Sequence, residues 1–210
     1  RLMKNGVQTV ELGIQSTNYI VLNKSGRPCS KSQIIKAASL VNKLNLRLGL
    51  QLMLGLPGDN EKRFIASVTD VIRMNPDFVR LYPSLVLRHT HLYTMYSKGL
   101  YLPWSMRRTL NALKSSIKLF RKAGISIARI GLQPDSSLNE NYVSGPFHPS
   151  LRYLVDCEIG LDLMTEKINS QYEISKKIIF RVPKKMESIY TGNRRKNLKI
   201  LKVRFGLDEV

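Results

Sequence analysis

Cysteine and histidine are scarce in this 210-residue sequence: there are two cysteines, Cys29 and Cys157, and three histidines. Two cysteines cannot build a disulfide framework, and neither sits in a metal-ligand spacing. No apolar run approaches about 18 residues, so no membrane span is expected. The opening RLMKNGVQTVELG has neither the long apolar core nor the small-residue cleavage site of a signal peptide. The default compartment is therefore the cytoplasm. Acidic residues are also few, 15 against 34 lysines and arginines, for a formal charge of +19. None occurs from Phe78 to Pro134, a stretch that includes Arg80, Arg107, Arg108, Lys114 and Arg129. Such a field attracts polyanions, with RNA or DNA foremost. The solvated helix faces of a lysine-rich protein would give the same count.

What is present centres on Leu46–Asp59, LRLGLQLMLGLPGD. Leucines at 46, 48, 50, 52 and 54 alternate with Arg47, Gly49, Gln51 and Met53. Period two over such a run predicts a strand. Gly55-Leu-Pro-Gly58 breaks it, and Asp59 is the expected N-cap of the next helix. The end of a strand that turns through glycine into a helix is where α/β proteins place ligand sites. Gln51, the run's one uncharged polar side chain, can hydrogen-bond there without bringing a charge.

Strand and helix alternate along the chain. Strands are expected at Val7–Ile14, Phe78–Val86 (broken or ended by Pro83) and Ile125–Leu132, in addition to the central one. Helices are expected at Tyr19–Lys24, Lys31–Lys43, Glu61–Met74 and from Ser105 to Lys122, with Gly124 as terminator. The segment from His89 to Trp104 reads as an aromatic loop, and Pro134–Pro149 as a loop full of turn residues. A spacing of about 30 residues between strands argues for parallel βαβ units with right-handed crossovers. Residues 1–134 would then form a partial barrel or short open α/β sheet, 135–150 a linker loop, and 151–210 a small α+β appendage. The appendage is expected to hold a helix near Leu151–Met164, a strand at Lys177–Val182 and a helical pair from Lys184 to Phe205. A chain that opens on Arg1 and enters a strand almost at once suggests an upstream portion.

Four blocks in order carry a resemblance: Glu11-Leu-Gly-Ile-Gln-Ser16, Ser25-Gly-Arg27, Gln51-Leu-Met-Leu-Gly-Leu-Pro-Gly-Asp59 and Leu81-Tyr-Pro-Ser-Leu-Val-Leu87. They are similar to a branch of radical SAM enzymes that groups the Elongator catalytic subunit with proteins like oxygen-independent coproporphyrinogen oxidase. The resemblance covers most of residues 1–150. Val143-Ser-Gly-Pro-Phe-His-Pro149 and the tail resemble the C-terminal extension of a bacterial subgroup of that branch. The resemblance implies a partial radical SAM (TIM-like) barrel that holds S-adenosylmethionine beside a [4Fe-4S] cluster. The family binds the cluster through a CxxxCxxC loop after its first strand, which this sequence lacks. The cluster ligands would lie upstream, and this chain would be the second half of the barrel and inactive alone.

By the same resemblance, Gln15 matches a glutamine near the cofactor's ribose and methionine. Arg27 matches an arginine that reaches the cofactor, and Gln51 a polar residue suited to ribose hydroxyls. Glu11 and Ser16 fall in the same block. Three positions depart from the family's pattern: Cys29 stands where a histidine usually follows Gly-Arg, Leu54 replaces a proline and His89 a glycine. Read without the family, Gln15 could cap the following turn, Arg27 could be an exposed loop charge, and Glu11 could face either the barrel or a helix. His89, His91 and His148 show no metal spacing. The aromatics Tyr93–Trp104 could stack bases or pack the loop. Thr191-Gly-Asn-Arg-Arg-Lys196 faintly resembles a KH-type loop without its second glycine.

Two functions from different classes remain open. One is the C-terminal part of an enzyme that reductively cleaves S-adenosylmethionine at the cluster to start radical chemistry, with tRNA or another RNA as candidate substrate and Arg107, Arg108 and Lys114 as candidate RNA contacts. The other is a non-catalytic basic nucleic-acid-binding module on a barrel-derived scaffold.

Overall fold

The computed structural model of the chain describes residues 5–171 and 175–210. It divides into two compact units, Arg1–Pro149 and Ser150–Val210. In the first, β1 (Thr9–Gln15), α1 (Tyr19–Lys24), α2 (Lys31–Lys43), β2 (Arg47–Leu54), α3 (Glu61–Arg73) and β3 (Phe78–Pro83) follow in order. Then come β4 (Val86–Leu87), α4 (His91–Ser97), α5 (Met106–Lys122), β5 (Ser126–Ile130), α6 (Ser136–Asn141) and β6 (Tyr142–Ser144). Four strands form one parallel sheet in the order β1-β2-β3-β5, and β4 pairs antiparallel with β6. The parallel α/β reading of the sequence holds.

The alternation in β2 gives the sheet two unlike faces. Leu48, Leu50, Leu52 and Leu54 are buried with Val79 and Leu81 of β3 on one side. Helices α3 and α5 supply the matching apolar stripes, Phe64, Val68 and Val71 from one, Leu113, Ile117 and Phe120 from the other. The opposite face carries Glu11, Gly49, Gln51, Phe78 and Arg80, aligned by the ladder register, and its side chains are half-buried or exposed. Gly49 is required there, because a Cβ would lie 2.3 Å from Cζ of the Phe78 ring.

Two irregularities shape the polar face. The β1–β2 register shifts between Gly13 and Gln15, and Gln15 takes a left-handed φ of 63°. The β3–β5 register shifts after Val79, which pairs with Ile127, so that Arg80 pairs with Arg129 and Ala128 becomes the extra residue. That shift restores Ile130 to the apolar face beside Leu81 and leaves Arg129 on the other.

Several expectations need correction. The cap of α3 is Asn60, whose side chain accepts from Arg63 N at 2.9 Å; Asp59 has another task. The third strand ends at Pro83, one of the two readings the sequence left open, and Val86–Leu87 belongs to a different sheet. The aromatic loop contains α4, capped by Thr90, and the 134–149 loop contains α6 and β6. His89, where the resemblance has glycine, sits at φ 62°, a conformation that glycine adopts without strain.

In the second unit, α7 runs from Leu151 to Asn169, five residues beyond the expected end, followed by α8 (Glu187–Thr191) and α9 (Lys196–Phe205). Leu161, Met164, Ile168, Leu201 and Leu207 form its core. The strand expected at Lys177–Val182 reduces to one parallel bridge, Lys177 with Glu209. No helix among the described residues is long and apolar enough to cross a membrane.

Candidate cofactor and nucleic-acid site

At the carboxyl ends of the strands the polar face gathers most of the expected residues. Gln51 Nε2 donates to Gln15 Oε1 at 3.2 Å, and Gln15 Nε2 donates to Gly13 O at 3.3 Å. Arg27, exposed in the loop after α1, returns to the strand end and donates through Nη1 to the same Gly13 carbonyl at 2.7 Å. Glu11 faces the polar side, its carboxylate 3.2 Å from Arg80 Nε. Arg80 in turn donates to Tyr82 Oη at 3.4 Å; this hydrogen bond and the Glu11 carboxylate hold its guanidinium firmly protonated. Ser16 is not part of this group. It is buried against α3, its hydroxyl 3.1 Å from Ser67 Oγ, where it also accepts from Asn18 N.

The Gly55–Asp59 turn forms a second polar centre. Asp59 is half-buried in the turn and accepts from Gly55 N and Asn60 N, each at 2.9 Å. Burial pushes its carboxyl up to about 6 against those two hydrogen bonds. Tyr101 donates to Gly55 O at 2.6 Å, and burial raises its phenol too. Gly55, at φ 80°, lies over the Trp104 ring, so a Cβ would come within 3.1 Å of it. A cavity of 330 Å³ opens here between Lys24, Pro57, Met95, Trp104 and Arg108. Nothing local in the sequence signals this state of Asp59, because Tyr101 and Trp104, which close on Gly55 in the same turn, lie more than 40 residues on. The aromatic loop packs at Tyr101 and Trp104, whose rings are buried.

Of the three candidate RNA contacts, Arg108 is heavily engaged. It makes a bidentate pair with Glu61 at 2.5 and 2.7 Å and stacks 4.3 Å over Trp104. Arg107 is exposed and Lys114 half-buried on α5. The Thr191–Lys196 segment is a short turn in which Arg194 and Arg195 have φ of 52° and 59°. No cluster of three or more His, Cys, Asp or Glu that could hold a metal occurs among the described residues, and both cysteines are free.

A family model described as the Radical_SAM C-terminal domain matches residues 76–160. The tRNA uridine(34) acetyltransferase of Methanocaldococcus jannaschii is 28% identical over 125 residues, 58% of this chain and 23% of that protein. The heme chaperone HemW of Buchnera aphidicola is 28% identical over 100 residues, 48% of this chain and 26% of its own length. The chain thus spans about a quarter of the curated relatives it matches. Among solved structures, an N-terminally truncated Elp3 of Methanocaldococcus infernus superposes with a TM-score of 0.68 at 27% identity, over 79% of this chain and 38% of that one. Residues 76–160 thus match the radical SAM C-terminal domain, and the chain is similar in fold to an archaeal Elp3.

Proposed function

We propose that the chain is the C-terminal part of a cytoplasmic radical SAM enzyme that acts on RNA, tRNA in particular, and that it supplies one side of the S-adenosylmethionine pocket. The observation that carries this reading is the Gln15–Gln51 carboxamide pair on the polar face, between the end of β1 and the middle of β2, with Arg27 anchored beside it. Two amides and a guanidinium suit the hydroxyls and carboxylate of that cofactor, so the residues present fit it. Gln15 and Gln51 would hold the ribose side and Arg27 the carboxylate. When bound beside the cluster, the cofactor supplies the radical chemistry. The [4Fe-4S] cluster does not fit this chain: Cys29 and Cys157 lie in different units, and no ligand cluster exists among the described residues. Its ligands would come from an upstream portion of the polypeptide. RNA as substrate is supported by the charge of +19 and by relatives named tRNA uridine(34) acetyltransferase. The same charge supports the second reading, a basic nucleic-acid-binding module without catalysis.

Anaerobic reconstitution separates the two. The chain alone should take up no stable cluster. In a longer form that carries a CxxxCxxC loop, Arg27→Ala should weaken S-adenosylmethionine binding while the cluster absorbance stays intact. Unchanged cofactor affinity would remove Arg27 from the site, and a reading frame without the cysteine loop would favour the binding module.

A further inference from the structure

The ladder aligns Gly13, Gln51, Arg80 and Arg129 in a single row across the four strands. Arg80 and Arg129 are therefore direct neighbours on adjacent strands, roughly 4.8 Å apart in the hydrogen-bonding direction. Like charges placed opposite each other on a sheet are destabilising. Here the arrangement exists only because of a bulge. With Ile127 packed beside Val79, simple alternation would turn Ala128 toward the polar face and Arg129 toward the helices; the extra residue reverses that.

The charge on this face is not balanced from within. Its strand positions include Arg47, Arg80 and Arg129, against Glu11 as the one carboxylate. Glu11 lies 3.2 Å from Arg80 Nε, yet that buried nitrogen has no aligned hydrogen-bond acceptor. Arg129 is oriented by uncharged groups, with Nε donating to Gly131 O at 3.1 Å and Nη1 to Gln133 Oε1 at 3.2 Å. Two oriented guanidiniums, with one carboxylate on the β1 side of Arg80 only, leave a net positive site on the polar face. The planar fork of arginine matches phosphate oxygens in pairs.

We infer that Arg80 and Arg129 form a phosphate-binding pair which holds a backbone phosphate of the RNA beside the Gln15–Gln51 amides. The RNA part of this statement rests on the function proposed above; the phosphate site does not. In this arrangement the pair would position the nucleotide to be modified, and the Phe78 ring one register step earlier would close off the face toward the amino ends of the strands.

Titration of the 210-residue chain with inorganic phosphate, at ionic strength held constant with chloride, tests the site by ¹⁵N NMR of arginine Nε–Hε groups. Saturable shifts of the Arg80 and Arg129 signals are expected, and Arg80→Gln or Arg129→Gln should abolish the shift of the remaining partner. Arg80→Lys keeps the charge without the fork and should weaken the response, while an unchanged amide spectrum confirms that each variant is folded. Shifts no larger than those from chloride would overturn the pair. A second arm binds a tRNA pool at several salt concentrations. The Arg80→Gln/Arg129→Gln variant should show a log–log slope shallower by about 0.7, the contribution of one phosphate contact. Equal slopes would overturn the RNA placement even if the chain binds RNA elsewhere. No RNA binding by the unmodified chain would sink the RNA reading, and the phosphate titration would then decide the pair by itself.

Discussion

Asp59 sits where burial and hydrogen bonding pull in opposite directions, and burial wins: its carboxyl titrates near 6 instead of 3.8. A folded-state value above the unfolded one means that the native state binds the extra proton between about pH 4 and 6. Stability from this residue is therefore present below that window and lost as pH rises through it. A difference near two units corresponds to about 3 kcal/mol once Asp59 is fully ionised. Asp59→Asn, which stays neutral but gives up one of the two accepted backbone hydrogen bonds, should flatten the dependence of Tm on pH between 4 and 7; a curve parallel to that of the unmodified protein would show that Asp59 does not titrate there. Gly49 gives a second test at this scale. Gly49→Ala places a methyl 2.3 Å from the Phe78 ring, and the ring, flanked by Arg47 at 5.9 Å, must shift. Overpacking of this kind costs about 1–3 kcal/mol, measurable as a lower urea midpoint, and Gly49→Ala/Phe78→Leu should recover most of it.

Among the elements, those with a strong local signal are the ones the sequence made legible. The β2 run is legible from its period and α5 from Ser105 and Gly124 at its ends; α2 has the expected bounds, its start held by the reciprocal capping box of Ser30 and Gln33. Ser30→Ala should cost about 1 kcal/mol by thermal unfolding; no loss would mean that the helix start is held by packing alone. Elements without such a signal were missed. Helix α4 buries none of its residues, so HLYTMYS shows no apolar period. Strand β6 exists through Tyr142 and Ser144 pairing with Leu87 and Val86, some 55 residues earlier, which no local pattern announces. The segment 177–182 shows the converse: strand-like composition, but among the described residues a single bridge, Lys177 to Glu209. The candidate site divides the same way. Gln15, Gln51 and Glu11 were legible from the residues and their resemblance, whereas the Arg80–Arg129 alignment depends on a bulge at Ala128 that composition does not signal.

For the whole molecule, the decisive property is one sheet with an apolar face sealed by helices and a polar face left open at its carboxyl ends. The surplus of positive charge follows the second face as well as the helix surfaces, and part of it is already neutralised, as the Glu61–Arg108 pair shows. On the function proposed above, the open polar face, with amides from two strands and an arginine from the adjoining loop, would form one side of a nucleoside-binding pocket. Titration of the chain with S-adenosylmethionine, followed through the side-chain NH2 signals of Gln15 and Gln51, examines that claim without any cluster. The expected result is weak, saturable shifts confined to these two carboxamides and their strand ends, lost in Gln51→Leu. Shifts elsewhere, or none at millimolar cofactor, would contradict the assignment of this face to the cofactor.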